Sequence, residues 1–316
     1  MNRRPVVLVT GSDLADEALQ LLAGYELVFA GKQPDEAQLI TLCRRHNPVA
    51  ILVRYGKIPA AVMDAAPALK VISKHGSGID VIDQPAAAAR HIRVCSAPGA
   101  NAAAVAEHTW ALILACAKSV VTLDARLREG HWDKSVHKSL ELEGRTLGLI
   151  GLGAIGRRVA RAGQAFGMRV IACDPYAGEF PAGCDAVSTL DELLAQADVV
   201  SLHCPLTEDN REMINAGTLA CFKRGAILVN TARGGLIDEP ALVHALNDGT
   251  LRWAALDSFS SEPLTAPHRW QAISNVILSP HIGGVSDASY VKMGTVAAQN
   301  ILQALNEAGE GNGASR

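Results

Sequence analysis

Short runs rich in Val, Ile and Leu alternate with Ala- and Leu-rich stretches from one end of the chain to the other. The early runs lie at 6–10, 26–30, 50–55, 70–74 and 92–96. The later ones lie at 145–150, 168–174, 198–204, 226–231, 252–259 and 276–279. Most show no polar alternation, so strands built from them must be covered on both faces. Such a pattern predicts an α/β chain of parallel sheets with helices packed on both sides.

At 316 residues the chain exceeds what one core usually serves, and two domains are expected. Two breaker clusters mark the boundaries: Pro98-Gly99-Ala100-Asn101, and Pro280-His281-Ile282-Gly283-Gly284. They delimit a central domain at 101–284, with six strand–helix units. The flanks, 1–100 and 285–316, together form the second domain. Long helices are predicted at 102–118 and 288–307. Thr189 and Glu192 have the spacing of a capping box ahead of a helix at 190–197. Asp238, followed by Glu239-Pro240 and later by Gly249, brackets a helix at 239–248. The Gly-rich tail, 309–316, is predicted to fray.

Composition narrows the partners. Twenty-nine basic and 32 acidic residues give a net charge of −3, so neither nucleic acid nor an anionic membrane finds a field to match. The seven cysteines include no C-x-x-C pair, which fits reduced thiols in a cytoplasm. The apolar run behind Met1-Asn2-Arg3-Arg4 is too short for a secretion signal, and no run approaches a membrane span. A cytoplasmic protein is expected.

The strongest local motif is Gly151-Leu152-Gly153-Ala154-Ile155-Gly156. A G-x-G-x-x-G string is weak alone, but this one follows a predicted strand and opens a predicted helix. In that setting Gly151 permits the tight turn and Gly153 lets the backbone approach a pyrophosphate. Gly156 lets the helix pack on the strand, and the helix start at Ala154 and Ile155 faces the anion. Asp174, eighteen residues past Gly156, ends the next strand, where an acceptor for a ribose 2′-hydroxyl belongs. The following Pro175 and Tyr176 supply no positive charge for a 2′-phosphate, so the cofactor is read as NAD and not NADP.

Ligands of open parallel sheets bind beyond the carboxyl ends of the strands. In this chain those ends carry Asp174, then His203-Cys204-Pro205, Thr231-Ala232-Arg233, Asp257 and His281. Each has an ordinary reading as a loop carboxylate, a half-buried imidazole or a surface cation. Their joint occurrence on one edge points to a site. No H-x-x-x-H or C-x-x-C pair supports a metal at His203, Cys204 or His281.

These residues also carry a family resemblance. Asn230-Thr231-Ala232-Arg233-Gly234-Gly235-Leu236-Ile237-Asp238 resembles the N-x-[AS]-R-G-x-x-[IV]-[DN] segment of the D-isomer-specific 2-hydroxyacid dehydrogenases. Glu262-Pro263-Leu264 resembles their E-P-L segment, and Ser279 through Gly284 their [ST]-P-H-x-[AG]-[GW]. Residues 75–80, 101–111 and 202–207 match too, so the resemblance covers about 50–290. It is nearest to the 3-phosphoglycerate dehydrogenases, in a short form without their C-terminal regulatory domain. It implies two doubly wound parallel-sheet domains, a central Rossmann domain inserted in a flavodoxin-like substrate domain. It also implies a homodimer formed through the helix that begins near Asn101, and no metal.

By this resemblance the dinucleotide is held by Gly151, Gly153, Ala154, Ile155, Gly156, Asp174, Pro175, His203, Pro205, Thr231, Ala232, Asp257, His281 and Gly284. Asp257 would lie near the nicotinamide carboxamide, although the chain reads Asp257-Ser258-Phe259 where the family usually has D-V-[FY]. The substrate would meet Arg54, Ser77, Gly78, Asn101, Arg233 and His281. A 2-oxo acid presents a carboxylate and a carbonyl, which the planar fork of Arg233 can grip. The Ser77 and Gly78 amides would hold the carboxylate as well. His281 would give a proton in reduction and take one in oxidation. Glu262 would orient the ring and favour its charged form. A Gln there, as in formate-oxidising relatives, would not.

Substrate choice is less fixed. Arg54 would hold a distal anion in the interdomain cleft. The segment His131-Trp132-Asp133-Lys134-Ser135-Val136-His137-Lys138 is either an arm adding charge to a neighbouring subunit's cleft or a solvated basic loop. Tyr55-Gly56-Lys57 stands where phosphoglycerate relatives usually carry smaller hydroxyl residues. 3-Phosphoglycerate, glycerate with hydroxypyruvate, or a similar anionic acid all fit. Two other readings share the same residues: an NAD(H)-sensing corepressor-like binding protein, and a phosphite dehydrogenase.

Overall fold

The computed structural model of the protein describes residues 4–310. It divides into two compact units, Met1–Asn101 with Val285–Arg316, and Ala102–Gly284. In chain order the elements begin with β1 (Val6–Val9), α1 (Asp16–Leu21), β2 (Glu26–Phe29), α2 (Glu36–His46) and β3 (Ala50–Val53). Next come α3 (Ala60–Asp64), β4 (Val71–Lys74), α4 (Gln84–Ala89) and β5 (Arg93–Cys95). The central unit starts with α5 (Ala102–Lys118), α6 (Val120–Arg128), β6 (Thr146–Ile150), α7 (Ala154–Ala165), β7 (Arg169–Cys173) and β8 (Cys184–Ala186). It continues with α8 (Leu190–Gln196), β9 (Val199–Leu202), α9 (Ala216–Leu219), β10 (Ala226–Asn230), α10 (Glu239–Asn247), β11 (Leu251–Leu256) and β12 (Val276–Leu278). The chain then returns to the first unit as α11 (Asp287–Glu310).

The first unit holds a five-stranded parallel sheet in the order β2-β1-β3-β4-β5. β1 and β3 are buried along their whole length, as their unbroken apolar sequences require. The two-residue period sends Leu8 to one face, with Ile51, Val53 and Ile72, and sends Val7 and Val9 to the other. On that second face Ala297, Ala298 and Ile301 of α11 complete the core. Each Val, Leu or Ile side chain removed from water here contributes roughly 1.5–3 kcal/mol. Most of the tail predicted to fray, 311–316, lies outside the described residues, as do residues 1–3; Gly309 and Glu310 continue α11.

The second unit holds a seven-stranded parallel sheet in the order β12-β11-β10-β9-β6-β7-β8. The chain runs outward from β6 in one direction and from β9 in the other. The reversal between those two strands is the switch point at which doubly wound sheets bind ligands. The sequence predicted six strands here. The seventh, β8, is three residues at the sheet edge, with Asp185 and Ala186 exposed, so no apolar run announces it.

Both helix starts singled out in the sequence are capped by side chains, one of them only in part. The Thr189 hydroxyl accepts from the Glu192 amide at 3.2 Å, but the Glu192 carboxylate reaches the Ser188 amide and not that of Thr189. Half of the predicted box therefore forms. Asp238 caps α10 by accepting from the Ala241 amide at 3.2 Å, with Pro240 in the first turn. Among the described residues, no helix is long and apolar enough to cross a membrane.

Candidate active site

The carboxyl ends of the second sheet bring the predicted residues to one edge, each by its own short loop. After β6 the backbone turns at Gly151, whose φ is +95°. A Cβ there would lie 2.7 Å from the His203 carbonyl carbon, so only glycine fits. A Cβ on Gly156 would lie 2.3 Å from the Gly151 carbonyl oxygen, which explains the close seating of α7. Gly153 meets nothing within 4 Å, and no side chain caps α7. The first amides of α7, at Ala154 and Ile155, therefore open onto unobstructed space. At the end of β7, Asp174 accepts from the Leu152 amide at 2.7 Å and the Tyr176 amide at 2.9 Å. Its carboxylate is thereby fixed against the Gly loop with lone pairs to spare. Open Gly153, an uncapped helix start and a fixed carboxylate together fit a dinucleotide's pyrophosphate and ribose.

His203 follows β9 and packs beneath this loop. Its Nε2 lies 3.0 Å from the Ser201 hydroxyl, and its Nδ1 is buried without a partner. Burial pushes its pKa down to about 3, so the ring is neutral. Pro205 follows, with its carbonyl accepting from Asn210. At the end of β10 the buried Thr231 hydroxyl meets that of Thr109, at 2.9 Å. Asn230, fully buried, accepts from the Ala232 amide and donates to the Arg233 carbonyl, at 3.0 and 2.8 Å. This clamp sets the turn that presents Arg233, a role the sequence did not assign to Asn230.

Glu262 and His281 meet. Nδ1 of His281 lies 2.7 Å from Oε2 of Glu262, and the other carboxylate oxygen accepts from the Phe259 amide at 2.9 Å. The hydrogen bond to Glu262 raises the pKa of His281 against the opposing effect of burial, with Arg233 nearby lowering it. For Glu262, burial pushes the pKa up. The bonds from His281 and Phe259 outweigh that, and the net shift is downward. The pair therefore favours imidazolium beside carboxylate.

Asp257 holds the loop that follows β12. It is buried, and its oxygens accept from the Ser279 hydroxyl at 2.6 Å, the Ile282 amide at 3.0 Å and the Gly283 amide at 2.8 Å. These bonds pin the loop on both sides of His281, whose φ is +52°. His108 of α5 joins through the Ser279 hydroxyl at 2.9 Å. Gly284 closes this loop.

In the first unit, Arg54 ends β3 with its guanidinium paired to Asp13. Ser77 and Gly78 follow β4. Among the described residues their amides donate to no protein acceptor, which suits an anion. Asn101 is half-buried just before α5. On the basic arm, Asp133 pairs with Arg126, while Trp132 and Val136 are exposed. Most of α5 is buried within its own unit, against α7 among others. The uncovered apolar side chains nearby are Val120, Val121 and Leu127 of α6.

The NAD binding domain of the D-isomer specific 2-hydroxyacid dehydrogenases matches residues 110–283. The chain is 42% identical over 259 residues to D-3-phosphoglycerate dehydrogenase of Methanocaldococcus jannaschii, covering 81% of this chain and 49% of that protein. It is 39% identical over 295 residues to hydroxypyruvate reductase of Thermotoga maritima, covering 92% and 96%. A crystal structure of a Thermus thermophilus protein matches with a TM-score of 0.88 at 40% identity, covering 96% of this chain and 97% of that one. The chain spans about half the length of the curated D-3-phosphoglycerate dehydrogenases it matches.

Proposed function

Because the chain belongs to the D-isomer specific 2-hydroxyacid dehydrogenase family, we propose that it interconverts a small D-2-hydroxy acid and its 2-oxo acid with NAD. The observation that carries this reading is the His281–Glu262 pair, set on loops neighbouring that of Arg233. A carboxylate can only accept, so the imidazole hydrogen sits on Nδ1 and Nε2 faces outward for chemistry.

The dinucleotide is held by the 151–156 loop, the first amides of α7 and Asp174, with Pro175, His203, Pro205, Thr231, Ala232, Asp257 and Gly284 around it. When bound it supplies the hydride for reduction and accepts it in oxidation. Arg233 grips the substrate carboxylate and carbonyl oxygen, and holds developing negative charge on that oxygen. His281 donates the Nε2 proton to the carbonyl oxygen during reduction and recovers it from the hydroxyl during oxidation. Glu262 keeps the ring oriented and charged for the first of these. Asp257 holds the loop so that the proton arrives in register. Ser77 and Gly78 in the first unit add amide donors to the carboxylate, and Arg54 and Asn101 are further substrate contacts.

The functional unit is proposed as a homodimer. The uncovered Val120, Val121, Leu127, Trp132 and Val136 support this, since such side chains mark interaction surfaces when they gather.

The test is NADH oxidation by the purified protein with glyoxylate, hydroxypyruvate, pyruvate, phosphohydroxypyruvate, sulfopyruvate and 2-oxoglutarate. Turnover of at least one acid is expected. Tight NADH binding without turnover of any acid overturns the reading in favour of a nucleotide sensor.

A further inference from the structure

The carboxyl ends of β3 and β4 carry a cluster that the dehydrogenase reading leaves partly unexplained. Val53 and Lys74 are register partners, so Arg54 and His75 leave adjacent strands on one edge, just ahead of Ser77 and Gly78. The Arg54 guanidinium pairs with the Asp13 carboxylate and also donates to the Asp13 carbonyl at 2.7 Å. It lies 5.2 Å from the ring centre of Tyr55 and 5.0 Å from that of Tyr290. The Arg54 side chain is only 10% exposed, whereas that of Asp13 is 63% exposed. Gly11 leaves the room this needs, since a Cβ there would come within 2.9 Å of Arg54 Cδ.

The Lys74 ammonium donates to the Arg54 carbonyl at 2.9 Å and to the Val53 carbonyl at 3.4 Å. His75 is buried, with its ring 5.6 Å from that of Tyr290. Burial, then the positive charges of Arg54 and Lys74, push its pKa down to about 4, so it is neutral at ordinary pH. Its buried Nε2 has no partner in the protein.

We propose that Asp13 makes this chain select 2-oxo acids whose only charge is the 2-carboxylate, and reject those bearing a phosphate, sulfonate or second carboxylate at the distal end. The proposal rests on the dehydrogenase reading and refines its substrate class. Arg54 alone would attract a distal anion. With Asp13 bound to it, the attraction is offset and the exposed carboxylate repels a second negative charge. The two tyrosine rings beside Arg54 suit a small uncharged end instead. Asp13 acts here through Arg54 and is a positioning residue.

The test compares kcat/KM for hydroxypyruvate and phosphohydroxypyruvate, with NADH, in the parent protein, Asp13→Asn and Asp13→Ser. The parent should favour hydroxypyruvate at least ~10-fold. Both variants should narrow that ratio by roughly 10-fold, through a lower KM for the phosphorylated acid at nearly constant kcat. A purely structural role for Asp13 would scale both substrates together. A parent that prefers phosphohydroxypyruvate, or a ratio that neither variant moves, overturns the proposal. A parent that turns over no 2-oxo acid at all overturns the dehydrogenase reading, and the selectivity with it.

Discussion

Nδ1 of His281 lies 2.7 Å from Oε2 of Glu262 although 19 residues separate them. This contact fixes the tautomer, turns Nε2 outward and stabilises the imidazolium. The acid–base role proposed for His281 rests on it, and so do the first two predictions.

His281→Ala should lower kcat by roughly 10²- to 10⁴-fold, the usual contribution of a positioned acid–base group. NADH affinity, followed by fluorescence titration, should stay close to that of the parent. Near-parental turnover would mean that another group moves the proton.

Glu262→Gln should shift the pH profile. Glu262 raises the pKa of His281 in the parent. Reduction needs the imidazolium, so its activity holds below that raised pKa and falls as pH rises through it. Without the carboxylate the pKa returns toward its ordinary value, and the falling limb moves to lower pH. Oxidation needs the neutral ring, so its rising limb moves to lower pH too. Profiles of kcat/KM in both directions read this, and limbs that stay in place would remove Glu262 from the mechanism.

Arg233→Lys should cost roughly 10²-fold in kcat/KM for the 2-oxo acid, because an ammonium cannot present two parallel donors. Steady-state kinetics with the best acid of the panel measure it. A loss confined to NADH binding would place Arg233 on the cofactor alone.

Asp257→Asn should slow turnover without abolishing it. The carboxylate takes two backbone amides and a hydroxyl. An amide group there sets one NH₂ against a donor, at a cost of about 2 kcal/mol. The His281 loop then loosens, and kcat should fall more than NADH affinity does.

Gly234→Ala should destabilise the central unit. A Cβ at this position would lie 1.9 Å from the Phe259 carbonyl carbon, where the loops after β10 and β11 touch. Forcing backbone apart in a packed site costs about 3 kcal/mol. That corresponds to a fall in Tm of roughly 6–12 °C by calorimetry.

Much of the strand-edge geometry was legible in the sequence. The G-x-G-x-x-G turn, Asp174 and the residues after each strand are local features, and their placement needs only the rule that ligands meet the carboxyl ends of parallel strands. Asp257 was legible as a strand-end residue but not for what it holds. Its oxygens hold the loop of His281, a job visible only once residues 25 and 26 positions away are beside it. The Asn230 clamp was hidden in a motif read for its arginine. The edge strand β8 escaped because three residues with an exposed aspartate leave no hydrophobic period to detect.

By itself the sequence determined the layers. Unbroken apolar runs must be buried on both faces, and that demand is written within a few neighbouring residues. Only the tertiary structure decided which charges cancel. Asp13, after β1, and Arg54, after β3, are 41 residues apart. No periodicity encodes such pairs, because they arise where separate strands end on a common edge. Electrostatic interaction depends on distance through space and not along the chain.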